Sequence, residues 1–384
     1  MAQQLHIAHV LVPLSVEGDP ATNVVRNLVR EHTAAGGRSS VVLAHDRPLE
    51  VPGAVLVKVD YSRYCSKQWF SRRELRTDFA FGIMGLQRPY TSRLPIPAMQ
   101  ALATLVPDII IIHEAHYASS GLRRWRAQLP NTKIVLYLHA SVSRSYLPWE
   151  MGKLIGAADH VVGVSRHMID SFRLRYPLLK TPLHAVLNGT NPRSVARLRQ
   201  GESPIRLLFV GRVVPDKGPH LLIDAAVELL RAGVPVSLRI VGSAGHGSVV
   251  LTPFEEDLRR RALGFENAIS FIPYLAPKEV QAEYARADIL CAPSVFADPC
   301  PLVVLEGLAS GIAIIASRQG GIPEIGADAI SYFDVAKPDS LVHALTAAMR
   351  PYALVELQAK SRSRAQELTW AKQYAHLISE ISPN

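Results

Sequence analysis

The sequence predicts an α/β protein with two Rossmann-like domains, each built on a parallel sheet. Three observations lead there. The chain opens strand–loop–helix–strand, a βαβ unit whose strands run parallel. The same order restarts at Ile205. Between the two halves, Pro192 to Pro204 is polar, lacks any sustained apolar period, and reads as a linker. A chain of 384 residues is long enough for two domains of ordinary size. The expected bounds are 1–190, a linker at 191–204, and 205–360, with 361–384 as a terminal helix.

Composition narrows the class. Apolar residues make up 48% and charged residues 20%, a globular balance. No apolar run reaches the roughly 18 residues that cross a bilayer. The N-terminal stretch reads as a first strand and not a signal peptide. The three cysteines, Cys65, Cys291 and Cys300, make no disulfide framework and no metal-ligand spacing, so a reducing cytoplasm is expected. The net charge is +9, without any nucleic-acid-binding motif. Basic residues gather at Arg63, Lys67, Arg72, Arg73 and Arg76, among Tyr61, Tyr64, Trp69 and Phe70. Two readings fit that mixture: docking on an anionic membrane surface, or a solvated helix face with core aromatics.

In the first half, Leu5 to Leu14 is apolar and β-rich. A turn-rich loop, Val16 to Thr22, holds Gly18 and is either a plain βα turn or a phosphate loop. A helix with Val24, Val25, Leu28 and Val29 on one side stops at Gly36-Gly37, and Ser40 to Ala44 is the next strand. Asp60 to Pro97 has little regular alternation. Pro107 to Ile112 is a buried strand, followed by a loop with His113, Glu114 and His116. The two histidines share no helix and have no third ligand, so no metal is expected there. A helix with Leu122, Trp125 and Leu129 leads to strand Lys133 to Leu138. His139 follows that strand, at the carboxyl end where open α/β sheets place ligands, although such a histidine also serves to bind backbone.

The second half opens with strand Ile205 to Val210 and the loop Gly211-Arg212-Val213-Val214-Pro215-Asp216-Lys217-Gly218. Pro219 then starts a helix with Leu221, Leu222, Ala225, Ala226, Leu229 and Leu230 on its apolar side. A guanidinium fork at Arg212 and a point charge at Lys217, between a strand end and a helix start, suit a diphosphate. The order of residues is not that of a Walker loop, and Gly242 to Gly247 is not a dinucleotide fingerprint. Strands follow at Val236 to Val241 and Ile269 to Pro273, with Tyr274 after the second. Helices are expected at Phe254 to Leu263 and Lys278 to Ala287. Strand Ile289 to Ala292 enters a loop broken by Pro293, Pro299 and Pro301, and a helix then runs from Leu302 to Gly311. The first amides of that helix form an anion site, with Asp298 before it and Glu306 one turn inside. Strand Ala313 to Ser317, the turn Gly320-Gly321, and helices from Asp339 and from Tyr352 through Trp370 and Tyr374 complete the chain.

The stretch S-V-F-A-D-P-C-P-L-V-V-L-E-G-L-A-S-G, with seven residues between Asp298 and Glu306, resembles the signature of the retaining glycosyltransferases of family four. G-R-x-x-x-x-K-G at Gly211 is similar to that family's diphosphate motif. Asp298 departs from the pattern, since many members carry Glu there. The resemblance implies the GT-B fold, two Rossmann-like domains facing across a cleft, with the last helix crossing back to the first domain. It implies transfer of a sugar from a nucleotide-diphosphate sugar to an acceptor glycan or lipid-linked sugar, with no metal, no other cofactor and no nucleic acid. Catalytic roles fall on His139, Arg212, Lys217, Asp298 and Glu306. Gly18, Gly211, Tyr274, Cys300, Pro301, Leu302 and Val303 would complete the donor site. His116, Tyr64, Trp69, Arg72 and Arg73 would lie on the acceptor side. The expected place is cytoplasmic, or peripheral at the inner membrane surface. A catalytically silent sugar-nucleotide-binding or scaffold subunit is the alternative, and a sugar-nucleotide epimerase of the same fold a third.

Overall fold

The computed structural model describes residues 4–11, 20–44, 49–62, 71–84, 86, 88–93, 95–113, 122–140, 147–193, 203–245, 250–337 and 339–382. The chain divides into two compact units. Unit 1 is Met1–Leu187 with Gln373–Asn384, and unit 2 is Asn188–Lys372.

The sheet of unit 1 holds β1 (His6–Val10), β2 (Arg38–Ala44), β3 (Ala54–Val59), β4 (Ile109–His113), β5 (Lys133–Leu138), β6 (His160–Gly163) and β7 (Leu183–Ala185). Its order is β3-β2-β1-β4-β5-β6-β7, and the paired strands are parallel. The sheet of unit 2 holds β8 (Ile205–Val210), β9 (Val236–Val241), β10 (Ile269–Ile272), β11 (Ile289–Ala292), β12 (Ala313–Ser317) and β13 (Ser331–Phe333). Its order is β10-β9-β8-β11-β12-β13, again parallel. This is the expected class. The strands are apolar along their length because helices cover both faces; Ile109 to Ile112 and Ala313 to Ala316 are all buried.

In each sheet the strand order reverses once, between β1 and β4 and between β8 and β11. At such a reversal the loops leaving the two strands diverge and open a crevice at the carboxyl ends, the usual place for a ligand.

Two details correct the expectations. His113 ends strand β4 and is fully buried, and does not begin a loop. The terminal helical region is two helices, Pro351–Glu367 and Trp370–Ile381. Thr190 separates them: its N–H donates to Leu368 O at 2.6 Å, its carbonyl accepts from Trp370 N at 3.1 Å, and its hydroxyl donates to Ala365 O at 3.0 Å. Those bonds occupy backbone groups that a continuous helix needs. Gln373 onward belongs to unit 1, where Tyr374 meets His32 at 2.5 Å and Glu380 pairs with His184. Among the described residues no helix is long and apolar enough to cross a membrane.

Candidate functional site

In unit 2 the switch point is formed by the loop after β8 and the loop after β11. The first includes a short 3₁₀ turn, Pro215–Lys217, closed by Gly218 at φ +70°. A side chain there would meet Pro293 O at 1.9 Å, so only glycine lets the two loops come this close. The carbonyl of Asp216 accepts from Val295 N at 3.0 Å and Phe296 N at 3.2 Å. Across this seam Lys217 and Asp298 form an ion pair, both partly buried. Gly321 N donates to Asp298 O at 2.8 Å and fixes the loop from its other side.

Helix Leu302–Ala309 starts at Pro301 without any side-chain cap, so its leading amides keep their donors for something else. Cys300 is buried and its thiol is pushed up to about 12 by burial, which makes it packing and not a nucleophile. Glu306, one turn inside, accepts the Tyr284 hydroxyl at 2.7 Å. Burial raises the Glu306 carboxyl above its ordinary value, against the opposing hydrogen bond from Tyr284 and the charge of Arg193.

A cavity of about 230 Å³ opens beside the first loop, lined by Gly211, Arg212, Gly242, Ser243, Tyr274 and Val280 among others. Gly242 sits at φ +133°, where a Cβ would lie 2.0 Å from Gly211 O; the loops after β8 and β9 therefore stack backbone to backbone. Arg212 is exposed on the cavity wall, and Tyr274 is half exposed there. Gly242 and Ser243 were not expected in a site, because no helix follows them as in a dinucleotide loop. Tyr284 was legible only as a helix residue.

In unit 1 His139 follows β5 and meets His113. His113 Nδ1 lies 2.8 Å from His139 Nε2, and His113 Nε2 lies 3.1 Å from His9 Nδ1. Register explains the row. His9 pairs with Ile111 and His113 with Tyr137, so His9, His113 and His139 all point to one face, each two residues further along. Tyr137 stacks on His139 at 4.7 Å and on His113 at 5.6 Å between centroids. His9 and His139 are held down to about 3 by burial, and burial with its two histidine neighbours drives His113 well below its ordinary value. All three rings are neutral at ordinary pH.

Arg72 and Arg73 lie exposed on helix Arg72–Ile83, started by the capping box Ser71-Arg72-Arg73-Glu74. Gly18, Tyr64, Trp69 and His116 lie outside the described residues. Among the described residues no three metal-ligating side chains gather into a metal site.

Two family models match. Residues 191–367 match glycosyl transferases group 1, and residues 21–194 match glycosyltransferase family 4. The chain is 24% identical to the lipopolysaccharide 1,2-N-acetylglucosaminetransferase of Salmonella typhimurium over 72% of each chain. It is 24% identical to spore coat protein SA of Bacillus subtilis, over 54% of this chain and 59% of that one. A D-inositol 3-phosphate glycosyltransferase of Corynebacterium efficiens is 38% identical over 30% of this chain, and only 27% of that protein is spanned. In fold, the chain is similar to sucrose-phosphate synthase of Thermosynechococcus elongatus, with TM-score 0.72, 18% identity and 98% of each chain covered. The Anabaena protein HepE, in complex with UDP and glucose, gives TM-score 0.71 at 17% identity, over 99% of this chain and 100% of that one.

Proposed function

This chain belongs to glycosyltransferase family four and has the GT-B fold, and from that premise we propose that it is a retaining, metal-independent hexosyltransferase. It moves a sugar from a nucleotide-diphosphate sugar to a glycan or a lipid-linked sugar in polysaccharide or glycolipid assembly. The observation that carries this is the Lys217–Asp298 pair at the switch point of unit 2, beside the uncapped helix at Leu302. Charge builds on the departing diphosphate as the sugar leaves. Lys217, the exposed Arg212 and the amides of Leu302 and Val303 supply positive charge for it, so the reaction needs no metal. Asp298 orients sugar hydroxyls, and Glu306 takes the ribose hydroxyls. The glycine-lined cavity under Tyr274 accepts the nucleobase. HepE binds UDP, which makes uridine diphosphate sugars the first donors to test.

Helix Arg72–Ile83 supports a peripheral place at an anionic membrane. Arg72, Leu75, Arg76, Phe79 and Ile83 form one exposed stripe at helical spacing.

A panel of sugar nucleotides, read by thermal shift and then by transfer, tests the donor site. The true donor at a hundredfold its Kd adds about 2.7 kcal/mol of stability. Lys217→Ala and Glu306→Ala each lower transfer by about 100- to 1000-fold while the fold survives. Wild-type turnover in both variants removes these residues from the reaction; binding without turnover in the wild type favours a silent binding subunit.

A further inference from the structure

The row of histidines in unit 1 has a property that none of its members has alone. Each ring-to-ring contact needs one N–H and one bare nitrogen, and a neutral imidazole has one of each. If His139 carries its proton on Nδ1, its Nε2 is bare and must receive Nδ1–H of His113. His113 Nε2 is then bare and must receive Nδ1–H of His9. The other complete arrangement puts all three protons on Nε2. Any mixture sets two protons or two lone pairs against each other across 2.8 or 3.1 Å.

The outer nitrogens, His9 Nε2 and His139 Nδ1, are buried and have no hydrogen-bond partner among the described residues. A buried polar atom left in this state calls for a role. The row also crosses the switch point, from β1 to β4 to the end of β5, where this sheet places a ligand. Burial keeps the rings neutral, so neither arrangement is displaced by charging.

We propose that the three rings act as one tautomeric unit, in which His9 and His113 are positioning residues that set whether His139 Nδ1 donates to or accepts from a sugar hydroxyl. The role at the sugar rests on the transferase reading above; the coupling of the rings does not. A fixed N–H or a fixed lone pair at His139 would suit one partner only. A coupled row offers either without ionising.

Long-range proton–nitrogen spectra of the full chain, labelled with nitrogen-15 histidine, read the tautomer of each ring. All three should carry the same one. His9→Phe keeps an aromatic ring, somewhat larger, and removes both nitrogens. It should move the His139 tautomer signals and lower kcat for sugar transfer about three- to tenfold, the worth of one neutral hydrogen bond, with KM for the nucleotide sugar within about twofold of wild type. Opposite tautomers on adjoining rings of the wild type overturn the proposal. So does a His9→Phe protein whose His139 signals and kcat are those of the wild type. Matching tautomers in a wild-type protein that transfers no sugar uphold the coupling and sink the transferase reading instead.

Discussion

Unit 1 and unit 2 are built on the same kind of sheet and gather polar groups at the same topological place, yet they do so with opposite chemistry. Unit 2 brings charge together: Lys217 against Asp298, and Glu306 against the Tyr284 hydroxyl. Unit 1 brings neutral rings together, His9, His113 and His139, in a row whose last two rings stack on Tyr137. Ionised groups at a loop seam can be partly wet and paired, whereas rings buried on and beside a parallel sheet must stay neutral, each with a single N–H, to be there at all. The two units should therefore answer differently to anything that changes protonation or one polar partner.

Acid gives the largest difference. In unit 1 His6, His9, His32, His113, His139 and His160 all have lowered pKa values, burial being the leading cause. Among the described residues of unit 2 only His220 does so. A histidine depressed on folding lends stability that is complete above 6.5 and is lost as the pH falls toward its folded value. Glu306 is raised, so its penalty eases as the pH falls. At pH 5.5, about 1.4 kcal/mol is lost for each of His9 and His139. Hydrogen exchange on the whole chain between pH 7 and pH 5 should show β1, β4 and β5 losing protection before β8 and β11. Loss of β8 and β11 first would mean that the rings are not the weak point.

The same contrast decides what the sequence made legible. Both sheets could be read from apolar runs and turn residues, because a strand buried on two faces has little other way to be written. The charges of unit 2 were also legible, since Arg212 and Lys217 share one loop and Asp298 and Glu306 one loop and helix. The row in unit 1 was not. Only His139 stood out; His9 lay within the apolar stretch Leu5 to Leu14, and His113 looked like the start of a loop. What joins them is register between β1, β4 and β5, and no local pattern encodes register. Tyr284 was hidden in the same way, on a helix that precedes β11, while its partner Glu306 lies beyond it. The break beside Thr369 depends on Thr190, a residue far from it in the sequence.

Two basic helices extend the comparison to the surface. In unit 2, two of the three arginines of helix Pro253–Arg261 are tied to acids, Arg260 to Asp257 at 3.3 Å and Arg261 to Asp257 at 2.8 Å and Asp224 at 2.6 Å, and Arg259 lies over the Phe271 ring at 4.7 Å. In unit 1, Arg72 and Arg76 flank Leu75, Phe79 and Ile83 in the open. Only the second arrangement suits a bilayer interface, where apolar burial and basic charge add. Vesicles containing phosphatidylglycerol should sediment the protein, and Phe79→Asp should weaken that partition about tenfold or more, from the loss of roughly 1.5–3 kcal/mol of aromatic burial. Equal sedimentation of the variant would leave this stripe a solvated helix face.

The smallest effect is also the sharpest, because it removes a single atom. Tyr284→Phe keeps the buried ring and deletes the hydroxyl that donates to Glu306 at 2.7 Å. The helix around it, Pro277–Arg286, has no reason to change. Glu306 then faces its surroundings with one donor fewer, and since that donor lowers its pKa, the carboxyl takes up a proton at a higher pH than before. A protonated Glu306 accepts one hydroxyl less from a ribose. Binding of UDP, followed by calorimetry, should weaken about three- to tenfold at pH 7, and the acid limb of its pH profile should move upward. His139 signals in unit 1 should stay where they were in the ligand-free protein. UDP bound as in wild type from pH 5 to pH 8 would mean that Tyr284 anchors a helix and that Glu306 holds its place at the site without it.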